Sequence, residues 1–171
     1  LPPTAYLVGA IPSLIIRFPY IPAGLTLEEN EGWMSFRGKY YAESQLKEWI
    51  RMDSFDDPAL SAAVKAAGVD EGSFTEPFEK GDLRFYYRGY NYYVVPIRHF
   101  DNTKAPTNTS IGRYGVVRGA EYRIHLTQIL RPGTPVPPDL TANLTPVTEE
   151  KNVHAVVSVR PIVVHSSEIH I

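Results

Sequence analysis

The side chains able to do chemistry are few, and their spacing gives them little to do. None of the five histidines, His99, His125, His154, His165 and His170, meets Cys, Glu or a second His at the helical spacing of a metal site. Cysteine is absent, which removes disulfides, thiolate metal sites and thiol nucleophiles together. The adjacent acids Asp56-Asp57 and Glu149-Glu150 read as a helix cap and as solvated charge, not as an acid and base opposed across a cleft. No nucleophile elbow, P-loop or dinucleotide fingerprint occurs. The chain therefore reads as a non-enzyme that folds without a metal or organic cofactor.

One cluster stands apart: Tyr86, Tyr87, Tyr90, Tyr92 and Tyr93. Two readings are open. Tyr86, Tyr90 and Tyr92 could form an aromatic surface for sugars or a protein, or the rings could pair across strands, one row in the core and one half exposed. Nucleic acid is excluded as a partner, because only Arg84, Arg88 and Arg98 accompany the rings and the net charge is -2. Asn108-Thr109-Ser110 and Asn143-Leu144-Thr145 match the N-glycosylation pattern by chance.

The elements that carry these residues are mainly strands. Eleven Tyr and 15 Pro among 171 residues favour strands and turns over helices. Apolar runs at Tyr6 to Ala10 and Leu14 to Phe18 are bounded by Pro12 and Pro19, and Trp33 to Ala42 is a strand interrupted at Gly38. The period then changes. Leu46, Trp49 and Ile50 share one face of a helix over Glu43 to Met52. A second helix starts at Asp57-Pro58, exits at Gly68, and buries Leu60, Ala63, Val64 and Ala67. Leu83 to Tyr87 and Tyr90 to His99 read as strands on either side of a hairpin turn at Arg88-Gly89. Tyr114 to Arg118 and Tyr122 to Leu130 follow as strands.

Six prolines and glycines between Arg131 and Lys151, with few large apolar residues, suggest an extended tether. A strand segment follows, in which Val153, Ala155, Val157 and Val159 alternate with His154, Val156, Ser158 and Arg160. Ile162 and Val164 resume an apolar row beyond Pro161. Such a tail can close its own sheet or complete a neighbour's. The domain reading is thus a β-sandwich over 1–131, a tether over 132–152 and terminal strands over 153–171. The chain lacks an initiating Met and opens in a strand-like run, as expected of a piece of a longer precursor.

Val153 to Pro161, with the hydrophobic stretch and acidic residue behind it, resembles the C-terminal strands of Bacteroidales fimbrillins, the minor fimbrillins of Porphyromonas in particular. Gly115-Val116-Val117-Arg118-Gly119-Ala120-Glu121-Tyr122-Arg123-Ile124 is similar to a recurrent stretch of that family, as are Tyr92 to His99 and Phe36 to Ala42. Two positions depart from it: Gly119 stands where Asn is frequent, and Ile162 where Trp is frequent. The resemblance implies an all-β, transthyretin-like β-sandwich with short helical insertions and a C-terminal donor strand segment. It implies a subunit of surface fimbriae, exported to the cell surface and outer membrane, that polymerises by donor-strand exchange and supports adhesion. Val153, Ala155, Val157, Val159, Ile162 and Val164 would plug the neighbour's groove. The implied partners are other fimbrial subunits in a homopolymer, and host or bacterial surface proteins. Membrane attachment would come only through precursor lipidation or an anchor subunit. The alternative function is a tip adhesin or secreted β-sandwich module that binds carbohydrate or protein through the tyrosines.

Overall fold

The computed structural model describes residues 10–99, 114–140 and 152–162. Strands dominate: β1 (Ser13–Pro19), β2 (Trp33–Phe36), β3 (Lys39–Ala42), β4 (Phe78–Lys80), β5 (Leu83–Tyr86), β6 (Tyr90–Pro96), β7 (Ala120–Ile129) and β8 (Val153–Pro161), with helices α1 (Glu43–Met52) and α2 (Pro58–Ala66) between β3 and β4. The fold class is the expected one, all-β with short helical insertions. The chain divides into two compact units. A helical unit comprises Ile15–Tyr93 and Arg131–Pro138; a tail unit comprises Leu1–Leu14, Val94–Leu130 and Asp139–Ile171.

The helical unit holds an antiparallel sheet in the order β3-β2-β5-β4. Trp33 to Ala42 is two strands, not one interrupted strand. Arg37 and Gly38 are both left-handed (φ 48° and 81°), the geometry of a two-residue hairpin turn whose twist matches its strands. Helix α1 runs over the residues its periodicity predicts and buries Leu46. Helix α2 starts as its sequence dictates: Asp57 Oδ1 accepts hydrogen bonds from the backbone N–H groups of Ala59 and Leu60, with Pro58 in the first turn. Leu60 and Val64 pack with Met34, Phe36, Leu83, Phe85 and Phe74 in one core. Trp33 is fully buried, stacked on Tyr86 at 3.8 Å between centroids, and its indole N–H donates to the Tyr20 carbonyl at 2.9 Å.

Arg88-Gly89 is not a hairpin turn. β5 belongs to the four-stranded sheet, whereas β6 pairs with β1. Arg88 and Gly89 are both left-handed (φ 52° and 69°), inside a short 3-10 turn over Tyr87–Gly89 that carries the chain from one sheet to the other. Local turn chemistry marks a reversal; which strand pairs with which is settled by packing at a distance.

In the tail unit β7 and β8 form an antiparallel ladder of nine facing pairs, Ala120 to Ile129 against Pro161 to Val153. Of the expected strand at Tyr114 to Arg118 only an isolated bridge, Tyr114 to Arg98, is present. Residues 1–9, which hold most of the expected strand at Tyr6 to Ala10, and residues 100–113, 141–151 and 163–171 lie outside the described residues.

Candidate assembly site

The β7–β8 ladder places the tail residues. Val153 and Ala155 are buried, and Val157 and Val159 half-buried, while His154 and Val156 on the opposite row are exposed. These inward residues face Ile129, Leu126, Ile124 and Tyr122 in turn. Strict alternation from Ile124 would point Gln128 inward. A bulge between Leu126 and Gln128 resets the phase so that Ile129 faces Val153 instead. Thr127 sits in the bulge and donates its hydroxyl to the His154 carbonyl at 3.2 Å. The apolar row is incompletely covered: Leu126, opposite Ala155, is 39% exposed, and Ile162, just past β8, 56%. Among the described residues β8 has β7 as its only strand neighbour. Tyr122 is fixed from two sides, its hydroxyl accepting from the Val117 N–H at 2.8 Å and lying 2.7 Å from His99 Nδ1. His125 and His154 stand exposed on the polar rows. Val164, His165 and His170 lie outside the described residues.

The segment before the tail is packed where it begins. Residues 131–138 belong to the helical unit, and Pro135 is fully buried there. Thr134 and Tyr92 exchange both backbone hydrogen bonds, at 2.8 and 3.0 Å. The Gly133 N–H donates to Asn91 Oδ1 at 3.0 Å, and its carbonyl accepts from the Tyr86 hydroxyl at 2.9 Å. The Tyr93 hydroxyl donates to the Arg131 carbonyl at 3.3 Å. Apart from tyrosines, Asn91 is the one buried polar side chain among the described residues, and its amide N–H also donates to the Gly89 carbonyl at 2.8 Å. The expected tether therefore starts as a strap bound along β6. The extended, proline-rich composition is right for a strap as well as for a tether, because both leave backbone groups free for a partner strand. Asn91 was detectable: it shares the inward row of β6 with Tyr93 and Val95, and a polar residue on a buried row needs a partner.

The tyrosines divide into a buried and a half-exposed set, although β5 and β6 do not pair with each other. Tyr86 and Tyr93 are buried, Tyr93 stacked on Phe18 at 4.7 Å. Tyr90 and Tyr92 are half-exposed, and the Arg17 guanidinium lies 3.9 Å above the Tyr90 ring. Tyr86 is thus not part of an exposed ligand surface; its stacking on Trp33 and its bond to Gly133 hold it inside. Burial pushes the Tyr86 phenol from 10.0 to about 12, and that of Tyr93 upward as well. A raised phenol favours the protonated side chain in the folded state, so its contribution is intact below the unfolded value near 10 and is lost as pH climbs through 12. Alkaline unfolding of the helical unit should therefore fall between about pH 10 and pH 12, with tyrosinate absorbance from these two rings rising only as the unit opens.

Residues 84–168, about half the chain, match the family model of the C-terminal part of the type IV major fimbrial subunit protein, fimbrillin. The chain is a fimbrillin. A search of curated proteins gave no match. The matched segment begins inside β5 and takes in β6, the strap, β7 and β8, so it spans the whole route from the buried tyrosines to the tail. Fimbrillins are structural pilus subunits, not an enzyme family, and membership implies assembly with other fimbrial subunits at the cell surface. Among the described residues no helix is long and apolar enough to cross a membrane, and no group of three or more potential metal ligands occurs.

Proposed function

We propose that this fimbrillin polymerises by donor-strand exchange, its β8 segment leaving its own β7 to complete the sheet of a neighbouring subunit. The observation that carries the reading is the thin, one-sided ladder. β8 has a single strand neighbour among the described residues, and its inward row, buried at Val153 and Ala155, is only half-covered at Val157 and Val159. The main-chain bonds given up within one subunit are remade in the next, so they nearly cancel. The balance is then tipped by apolar surface, such as Val157, Val159 and the exposed Ile162, that the exchanged state covers more fully. Val164 would extend the row.

The strap supports the same reading, because it fixes the root of the tail to the helical unit. The 14 residues 139–152 could span at most roughly 45–50 Å when fully extended. The product would be a homopolymer at the outer membrane that supports adhesion, with lipidation or an anchor subunit making the attachment.

Deleting residues 153–171 is the direct test. Purified chain should form SDS-resistant ladders, and the deletion should remove them while isolated helical unit signals persist. Ladders that survive the deletion would overturn the reading.

A further inference from the structure

A cavity of about 400 Å³ opens in the helical unit at the start of β6. Its lining mixes apolar side chains, Ile21, Leu27 and the aromatic Tyr90, with the polar Glu28, Glu29, Asn30 and Arg88. We propose that this cavity is a binding site for a neutral sugar, the ring of one pyranose resting on Tyr90 and its hydroxyls bonded to the polar lining residues.

The polar lining suits hydroxyl groups. Arg88 and Asn30 offer donors, and Glu28, Glu29 and Asn30 offer acceptors, around one cavity that also has apolar lining. Glu31, also in the lining, is already used: its carboxylate accepts from the backbone N–H groups of Glu28 at 2.7 Å and Ser44 at 2.8 Å, which fixes the loop that carries the others. Glu28 and Arg88, in contrast, make no ion pair with any described residue; the Arg88 guanidinium only lies 5.2 Å from the centroid of the Tyr87 ring. A charged ligand of either sign would meet a like charge, carboxylates for an anion and Arg88 for a cation. A neutral polyol can bond to both. Tyr90 is also held in place. Arg17 stacks on Tyr90 at 3.9 Å, which orients the ring before any ligand arrives. Tyr92 does not line the cavity, so the site is distinct from a row of tyrosines along β6.

Arg88 gives the test its discrimination. It is a non-glycine residue in the left-handed region (φ 52°), so glycine at this position relieves backbone strain. The probes are methyl glycosides of glucose, galactose, mannose, fucose and N-acetylglucosamine, with N-acetylneuraminic acid as the charged comparator, measured on the full chain by saturation-transfer NMR and titration. At least one neutral glycoside should bind, more tightly than the acidic sugar. Arg88→Gly should weaken that binding at least tenfold while raising Tm, and Tyr90→Ala should remove it. Neither variant should alter the SDS-resistant ladders, which separates this site from the tail. Absence of binding by every neutral glycoside, preference for the acidic sugar, or binding undiminished in Arg88→Gly would each overturn the assignment.

Discussion

Val157→Asp is expected to abolish the SDS-resistant ladders while leaving the melting of the helical unit unchanged. Val157 lies mid-way along the inward row of β8, opposite Ile124, and is half-buried in the free subunit. Fully covered in an exchanged sheet, a valine contributes about 1.5–3 kcal/mol, and an aspartate there would be a desolvated, unpaired charge. The penalty thus falls mainly on the polymer, where coverage is greater, and multiplies at every joint. The readout is selective because the chain has only two tryptophans, Trp33 and Trp49, both in the helical unit. Their fluorescence reports that unit alone. Ser158→Thr, at a polar neighbour on the opposite row, should leave the ladders intact. Ladders formed normally by Val157→Asp would mean that β8 is an ordinary strand of its own subunit.

Gly133→Ala should do the converse and lower the tryptophan melt. A Cβ on Gly133 would fall on the backbone carbonyl of Tyr92, and a backbone atom in a paired strand cannot turn aside as a side chain can. The strap would lift. Two backbone bonds between Thr134 and Tyr92 would go, and the Asn91 amide oxygen and the Tyr86 hydroxyl would both lose Gly133. Neutral hydrogen bonds contribute about 1 kcal/mol each, and an orphaned buried polar group costs about 1–3 kcal/mol, so two bonds and two orphaned groups come to at least about 4 kcal/mol. For a unit of under about 100 residues that lowers Tm by roughly 15 °C or more. Asn91→Ala removes the polar group along with its bonds and should cost less than Gly133→Ala. A Gly133→Ala chain that melts with the wild type would show that the strap is not bound along β6 in solution.

Together the two variants separate the root of the tail from its tip. If the strap anchors the tail, Gly133→Ala should leave β8 able to pair but attached to a weakened support. Its ladders would then form and come apart at lower temperature, whereas Val157→Asp would form none.

What the sequence by itself determined is local. Helix α1, the Asp57-Pro58 start of α2 and the inward row Val153, Ala155, Val157 and Val159 each follow from residue period and capping chemistry within about ten neighbouring positions. The order of landmarks in the tail was enough to suggest the family. The tertiary structure alone decided the pairing of β6 with β1 rather than β5, the burial of Tyr86, and the docking of residues 131–138. Each depends on partners distant in sequence: Asn91 and Gly133 meet across 42 positions, Tyr86 and Gly133 across 47. Composition marks Arg131 to Pro138 as extended, but an extended segment has unpaired backbone groups by construction, and only a facing strand with matching groups can tell a bound strap from a free tether.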